Sequence, residues 1–273
     1  MSRGLKAAVS GLAIAGALAF AGAAAAAPTW APADTAAVHP GVQTYTEGGQ
    51  CTANFIFYDA TDIYIGQAAH CAGTGGATET DGCDAGSLPL GTPVEVTGAS
   101  RPGTLSYSSW LAMQAVGETD ADTCAYNDLA LVKLDPADYG KVNPSIPFWG
   151  GPTGITGTVA SGAKVLSYGN SSLRQGITQL SPKEGVSLGQ SAGGWTHSVF
   201  TVTPGIPGDS GSAFIDKQGR AFGTLSTLAI APLAGSNGVG DLSRELAYAR
   251  SHGADVTLAT GTVAFRGPLL PLP

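Results

Sequence analysis

The stretch Gly208-Asp209-Ser210-Gly211 places a serine in a glycine-flanked turn in the second half of the chain. A serine hydroxyl is almost wholly protonated at neutral pH, so it becomes a nucleophile only beside a group that takes its proton. The oxyanion formed by its attack needs backbone N–H donors already aimed at it. Gly208 and Ser210 are suited to supply them, because glycine has no Cβ to obstruct its amide. The stretch is therefore a candidate nucleophile loop with its own oxyanion hole.

Two earlier runs contain the side chains that such a serine requires. Gln67-Ala68-Ala69-His70-Cys71 offers an imidazole as general base, and Asn127-Asp128-Leu129-Ala130-Leu131 offers a carboxylate that can fix the imidazole tautomer. Each run alone is weak evidence, because core histidines and turn aspartates are common. Their joint occurrence in the order His70, Asp128, Ser210 favours a single catalytic site.

The composition predicts an all-β protein. The chain has 273 residues, with 40 glycines, 17 prolines and only 12% charged side chains, which suits short strands joined by tight turns. Apolar runs typical of strands lie at 55–58, 63–65, 94–96, 129–134, 164–168, 199–202, 212–215 and 222–226. One helix is expected, with Asp241 as its N-cap and Gly253 at its end. Such spacing predicts barrels or a sandwich.

Residues 1–27 resemble a secretory signal peptide. Arg3 and Lys6 precede an uncharged run of Ala, Leu and Gly that ends in small residues. The alternative is a membrane-spanning helix, since about 20 apolar residues can cross a bilayer, but the small-residue end favours cleavage. We therefore expect a secreted, extracellular protein with no membrane attachment after cleavage. Residues 28–41 are rich in Ala, Pro and Thr and are expected to form a flexible leader or short pro-segment.

The net charge and the cysteines narrow the range of partners. A net charge of −7 disfavours nucleic acid, whose phosphates require a basic surface. Four cysteines in an exported chain favour disulfides over a metal site, and neither a metal nor a cofactor is expected. Four cysteines permit three connectivities. The pairing of Cys51 with Cys71 and of Cys83 with Cys124 is favoured, because each bond then closes a local loop.

Together the motifs resemble the trypsin/chymotrypsin family of serine endopeptidases, and specifically its secreted bacterial members. Ala68-Ala69-His70-Cys71, Asn127-Asp128-Leu129-Ala130-Leu131 and Gly208-Asp209-Ser210-Gly211 match the family's surroundings of the base, the acid and the nucleophile. The resemblance covers about residues 42–253. It implies two successive six-stranded antiparallel Greek-key barrels, chymotrypsin-like, with a C-terminal helix.

The resemblance also implies how the chain is divided. The first barrel would span 42–140 and carry the histidine and the aspartate, and a linker rich in proline and glycine would span 141–157. The second barrel would span 158–273 and carry the serine, the helix and the tail. A disulfide between Cys51 and Cys71 would pin the strand before the histidine to the loop after it. We expect a monomer whose cleft, between the barrels, binds protein or peptide substrates.

In this family the specificity pocket is framed by residues before the serine and by a later strand. Pro204 stands where relatives that cleave after Arg or Lys have an acidic residue, so such cleavage is not expected. Ser226 resembles the pocket-wall serine. Leu228 replaces a small residue and is expected to narrow the pocket. No histidine or lysine lies at 224–228, which weakens a preference for Glu, and the resemblance implies a preference for small or medium apolar side chains.

The chain departs from the family pattern in two places. Gly211-Ser212 stands where two glycines are usual, and no Ile-Val-Gly-Gly type start is present. Asp209, which pairs with a new N-terminal amine in members activated by cleavage, is therefore expected to find an internal donor. Two alternatives remain open. One is a catalytically silent binding module with this fold, although such proteins usually lose one of the three residues. The other is an esterase or lipase, although those carry Gly-Asp-Ser near the N-terminus.

Overall fold

The described part of the chain folds mainly into short antiparallel strands. A computed structural model describes Met1 and residues 27–76, 79–229 and 233–269. The expected signal peptide over residues 1–27 therefore lies outside the described residues, except at its two ends. Within the described ranges, no helix is long and apolar enough to cross a membrane.

Seven strands from the first half and one from the C-terminal end form the first sheet. The strands are β1 (Gln43–Thr46), β2 (Gly49–Thr52), β3 (Ile56–Tyr58), β4 (Ile63–Ala68), β5 (Pro93–Val96), β6 (Gly103–Ser108), β7 (Leu129–Lys133) and β14 (Thr257–Leu258). They are ordered β14-β3-β4-β7-β6-β5-β1-β2. Only three residues separate β2 from β3, so the sheet returns on itself. It encloses a core that includes Ile56, Ile65, Leu105 and Val132, all fully buried.

The second half forms a closed barrel of six antiparallel strands. The strands are β8 (Lys164–Tyr168), β9 (Pro182–Ser191), β10 (Thr196–Thr201), β11 (Ala213–Asp216), β12 (Ala221–Ala229) and β13 (Ser236–Asp241). Their order around the barrel is β10-β13-β12-β11-β8-β9. Phe214 and Phe222 fill its centre, with ring centroids 6.0 Å apart in an edge-to-face arrangement, which is favourable for aromatic pairs.

The C-terminal helix α3 (Leu242–Ser251) confirms the sequence prediction. The Asp241 side chain caps it by accepting a hydrogen bond from Arg244 N at 2.9 Å, which satisfies one of the amides that a helix start leaves unpaired. The buried face consists of Leu242, Glu245, Leu246 and Ala249. The helix thus packs its apolar side against the rest of the protein, and the acidic residue Glu245 is buried on that same side.

Two short helices, α1 (Ser109–Val116) and α2 (Ala121–Tyr126), were not expected from the sequence. Helices of this length are marginal on their own in water, so tertiary contacts must hold them. Trp110 and Met113 of α1 are buried in the core of the first sheet. In α2, Asp120 is the N-cap, and Cys124 forms a disulfide with its partner before α1.

Both expected disulfides are present, between Cys51 and Cys71 and between Cys83 and Cys124. The first joins β2 to the 3-10 turn Ala69–Ala72 that follows β4. It therefore ties the turn that carries His70 to β2 of the first sheet.

Residues 28–41 contact the first sheet at several points. Val38 is fully buried, and its amide donates to Lys141 O at 3.1 Å. The Trp30 ring meets Tyr58 edge-on with centroids 6.1 Å apart. The segment is held because its apolar side chains leave water for the core, despite its many small residues.

The C-terminal end of the chain crosses back to the first sheet. Thr257 and Leu258 of β14 pair with Tyr58 and Phe57 of β3. This strand follows α3 in the chain. It belongs to the first sheet, although the expected second barrel, residues 158–273, includes it.

Candidate active site

His70 lies in the 3-10 turn that directly follows β4. The turn is fixed from two sides, because Ala69 N donates to Asp128 O at 2.8 Å and Cys71 is bonded to Cys51. Ala69 is fully buried, whereas the His70 side chain is 23% exposed. A rigidly held turn therefore presents the imidazole at the surface of a cleft.

Asp128 precedes β7 and holds the imidazole. Its Oδ2 accepts from His70 Nδ1 at 2.7 Å and from Ser226 Oγ at 2.6 Å, and its Oδ1 accepts from His70 N at 2.8 Å. An Nδ1 that donates to a carboxylate carries a proton, so Nε2 is the nitrogen left free to act as a base. Ser226, expected as a pocket wall, thus also orients the carboxylate.

Two effects act in opposite directions on the pKa of His70. Burial disfavours the charged imidazole, but the negative charge of Asp128 and its hydrogen bond outweigh burial and raise the pKa of His70 above its ordinary value. A raised pKa makes the imidazole a stronger base towards the proton of a neighbouring hydroxyl. The pair therefore has the electrostatics of a general base.

Ser210 lies in the loop between β10 and β11, and this loop packs against the first sheet. Ser210 O accepts from Thr52 N at 2.8 Å. Gly211 has φ +86°, and a Cβ there would lie 2.6 Å from Thr52 O and 2.9 Å from Ala68 N. Only glycine allows such an approach. The serine turn therefore contacts Ala68, which is the last residue of β4 and lies two positions before His70.

The amides of Gly208 and Ser210 donate to no acceptor among the residues that the structure describes. The carbonyl before each amide is held from the opposite side: Pro207 O accepts from Ser171 Oγ at 2.6 Å, and Asp209 O accepts from Ser212 Oγ at 2.7 Å. Because the N–H and C=O of a trans peptide point in opposite directions, both amides are oriented and available. Sequence reasoning missed both serine contacts.

His70 and Ser210 line one cleft of about 850 Å³. No hydrogen bond joins the His70 ring to the Ser210 hydroxyl within the described part of the chain; the ring bond that is formed goes to Asp128. Hydrogen bonds of catalytic pairs are often long before a substrate is bound. The structure thus brings the three candidate residues to one place, with the acid–base contact formed.

The walls of the cleft differ in part from the sequence expectation. Ser226 and Leu228 both line the cleft. Leu228 is 57% exposed, so it lies at the rim and does not narrow the interior of the pocket. Pro204 is not among the described lining residues. Its carbonyl faces the other way and accepts from Lys183 Nζ at 3.2 Å and Arg174 Nη2 at 3.0 Å.

Asn237 of β13 joins the two walls of the pocket and was not singled out in the sequence. It is 1% exposed. Its Oδ1 accepts from Gly205 N at 2.9 Å, and its Nδ2 donates to Thr227 O at 3.2 Å. A buried amide with both ends bonded fixes the pocket width. An asparagine within a strand has no local pattern that reveals such a role.

Asp209 has internal cationic partners, as the sequence predicted. Its fully buried carboxylate lies 2.6 Å from Arg174 Nη2 and 3.0 Å from Lys183 Nζ. Burial lowers the pKa of Lys183, and the charge of Asp209 works against that effect. The serine loop is therefore held by ion pairs with residues of the second half.

Comparisons with known proteins identify the fold. No family model matches the chain, and no curated protein matches its sequence. Protease A of Thermobifida fusca is similar in structure, with a TM-score of 0.53, 18% identity, and coverage of 83% of this chain and 100% of that chain. A glutamic acid-specific serine protease with a histidine triad in substrate binding has a TM-score of 0.53, 17% identity, and coverage of 81% and 100%.

A protease from Nocardiopsis is similar too, with a TM-score of 0.51, 18% identity, and coverage of 81% of this chain and 98% of that chain. These similarities extend over about four fifths of the chain, which includes most of the first sheet and the closed second barrel. The chain therefore has the chymotrypsin-like fold of two β-barrels that the sequence predicted.

Replacing the buried acid of the serine loop tests how that loop is held. Asp209→Asn leaves Arg174 and Lys183 without a charged partner, and breaking a buried ion pair costs about 3–5 kcal/mol. The control is Asp255→Asn, because Asp255 is 76% exposed in its pair with Arg250, and surface pairs contribute at most about 1 kcal/mol. Urea denaturation measures both variants. Equal losses would contradict the assigned role of Asp209.

Proposed function

We propose that this protein is a secreted serine endopeptidase that hydrolyses peptide bonds through Ser210, His70 and Asp128. The observation that carries the proposal is the 2.7 Å bond from His70 Nδ1 to Asp128, beside a cleft that Ser210 also lines. The chymotrypsin-like fold supports it. So do the two free amides at Gly208 and Ser210, which suit a negatively charged oxygen.

In the acylation step, Ser210 Oγ attacks the peptide carbonyl carbon while His70 Nε2 takes the hydroxyl proton. The carbonyl electron pair moves onto oxygen, which accepts hydrogen bonds from Gly208 N and Ser210 N. Each such donor is worth about 3–4 kcal/mol. The imidazolium then gives its proton to the leaving amine, the C–N bond breaks, and an acyl-enzyme remains.

Deacylation repeats these movements with water as the nucleophile. His70 takes a proton from the water as it attacks the ester, and the same two amides hold the new oxyanion. The proton then returns to Ser210 Oγ as the acid product leaves. Asp128 stays ionised throughout and stabilises the imidazolium, while Ser226 Oγ donates at 2.6 Å to the same Oδ2 that accepts from His70 Nδ1.

Export of the protein is part of the proposal. Residues 1–27 resemble a signal peptide, and the structure contains two disulfides, which persist in oxidising compartments.

A fluorophosphonate probe tests the nucleophile. The wild-type protein is expected to be labelled and to cleave casein, and Ser210→Ala is expected to lose both properties, with kcat reduced by about 10⁶-fold as in other triad enzymes. Ser172→Ala is the matched control, because that serine is exposed near the same loop. A folded wild-type protein that is never labelled would support the silent binding module, and cleavage of esters without casein would support an esterase.

The pH dependence tests the base. Only neutral His70 accepts the serine proton, so kcat/KM on an uncharged peptide falls as the pH drops through the His70 pKa. Because that pKa is raised, the midpoint of the fall is expected above about 6.5, the ordinary value for histidine. Asp128→Asn removes the charge responsible, so the midpoint moves to lower pH while kcat drops by about 10⁴-fold. An unmoved midpoint would show that Asp128 does not act on His70.

We also propose that the pocket accepts small or medium apolar side chains. The second half lines the cleft with uncharged residues, among them Gly205, Ile206, Leu225, Ser226, Thr227, Leu228 and Asn237, whereas Glu47 and Glu79 of the first half line other parts of it. His70 is the only histidine among the described residues of the cleft, so nothing here corresponds to the histidine triad of the glutamic acid-specific neighbour.

Chromogenic peptides that differ only in the residue before the cleaved bond test this preference. Those with Ala or Leu are expected to show kcat/KM at least about tenfold above those with Arg, Lys or Glu, because burying an unpaired charge is costly. Faster cleavage after Arg or Lys would refute the apolar preference and would leave the proposed reaction intact.

A further inference from the structure

Glu245 contacts the backbone of the proposed catalytic acid from the side opposite the cleft. It lies in the first turn of α3 and is fully buried. Its Oε1 accepts a hydrogen bond from Asp128 N at 3.1 Å. The proposed reaction gives this carboxyl no role, yet it is the link between the C-terminal helix and the peptide that carries Asp128.

The space for this carboxyl comes from a glycine. A Cβ on Gly240 of β13 would overlap Glu245 Oε1 and would lie 3.1 Å from Glu245 Cδ. Gly240 pairs with Thr196 and Thr224 in the barrel, so the strand cannot move away without breaking the sheet. The barrel wall and the helix together form a closed compartment behind Asp128.

Among the described residues, the groups that act electrostatically on Glu245 are carboxyl groups, with no lysine or arginine. None of the ion pairs that join described residues includes Glu245. The titratable groups around it are Asp128, Asp241 and Tyr107, and Asp241 is itself paired with His197 at 2.8 Å. Glu245 Oε2 has no hydrogen-bond partner among the described residues. A second unpaired negative charge in such a space is strongly unfavourable.

Burial, and then the charge of Asp128, raise the pKa of Glu245 well above its ordinary value. The Asp128 carboxylate accepts two hydrogen bonds from His70 and one from Ser226, whereas Glu245 is approached by one amide and by the Thr224 hydroxyl. The negative charge therefore belongs on Asp128, and the proton belongs on Glu245.

We propose that Glu245 is a positioning residue that holds the Asp128 peptide from behind as a neutral carboxylic acid. The inference rests on the proposed peptidase function. A neutral acceptor fixes the peptide without adding a second negative charge near His70. An ionised Glu245 would instead stabilise the imidazolium, raise the pKa of His70 further and withdraw the base at neutral pH.

Three variants separate this role from simple packing. Glu245→Ala removes the acceptor, and kcat is expected to fall about tenfold to a hundredfold with little change in KM, as for the loss of a buried hydrogen-bond partner. Glu245→Gln keeps a neutral acceptor of the same shape, so it should recover most of that loss and leave the acid-side midpoint of kcat/KM unchanged. Ser243→Ala, exposed in the same turn, is the control. A midpoint lowered by Gln would mean that Glu245 is charged and would overturn the proposal.

Stability against pH gives a readout that does not need activity. In a Ser210→Ala background, which prevents self-cleavage, folded Glu245 keeps a proton that the unfolded chain releases above about pH 4.3. The unfolding constant should therefore rise by about tenfold per pH unit from that value towards the raised pKa. Glu245→Gln should remove this dependence. Parallel curves for the two proteins between about pH 5 and 8 would overturn the proposal, whereas failure of the proposed function alone would leave the difference in slope in place.

Discussion

The hydrogen bond from Thr52 N to Ser210 O, at 2.8 Å, sets the position of one barrel on the other. The serine and the histidine come from different halves of the chain, so their meeting depends on this interface. Thr52 follows Cys51, whose disulfide partner Cys71 follows His70. One strand therefore holds the serine turn through its backbone and the histidine turn through a covalent bond. A displacement of that strand would move both.

Three buried acids surround this interface, and each is stabilised differently. Asp128 receives hydrogen bonds from a histidine and a serine, and Asp209 lies between two cations. Glu245 receives one amide and, under our proposal, keeps its proton. The differences matter because a charge out of water must be compensated or neutralised. The arrangement places one negative charge beside the imidazole, balances one under the serine loop and removes the third.

The sequence predicted the elements whose signals are local, and it missed those that arise from tertiary contacts. The apolar run 129–134 predicted β7, and the N-cap Asp241 predicted α3. The requirements of a serine nucleophile pointed to His70, Asp128 and Ser210. α1 and α2 are too short to have a clear pattern. In sequence, Glu245 is an ordinary acidic residue in a first helical turn, and only packing shows that it is buried. Pro204 is not among the described residues that line the cleft, because a count of positions before the serine does not reveal how the loop folds.

The last strand, β14, has a consequence for how the protein is made. It covers the outer edge of β3 with residues Thr257 and Leu258, yet synthesis proceeds from the N-terminus. The edge of β3 is thus unpaired until residues 257 and 258 have been synthesised, and such edges attract other strands. The sheet whose strands are synthesised first is therefore completed only after β13, the strand of the second barrel that precedes α3, has been made.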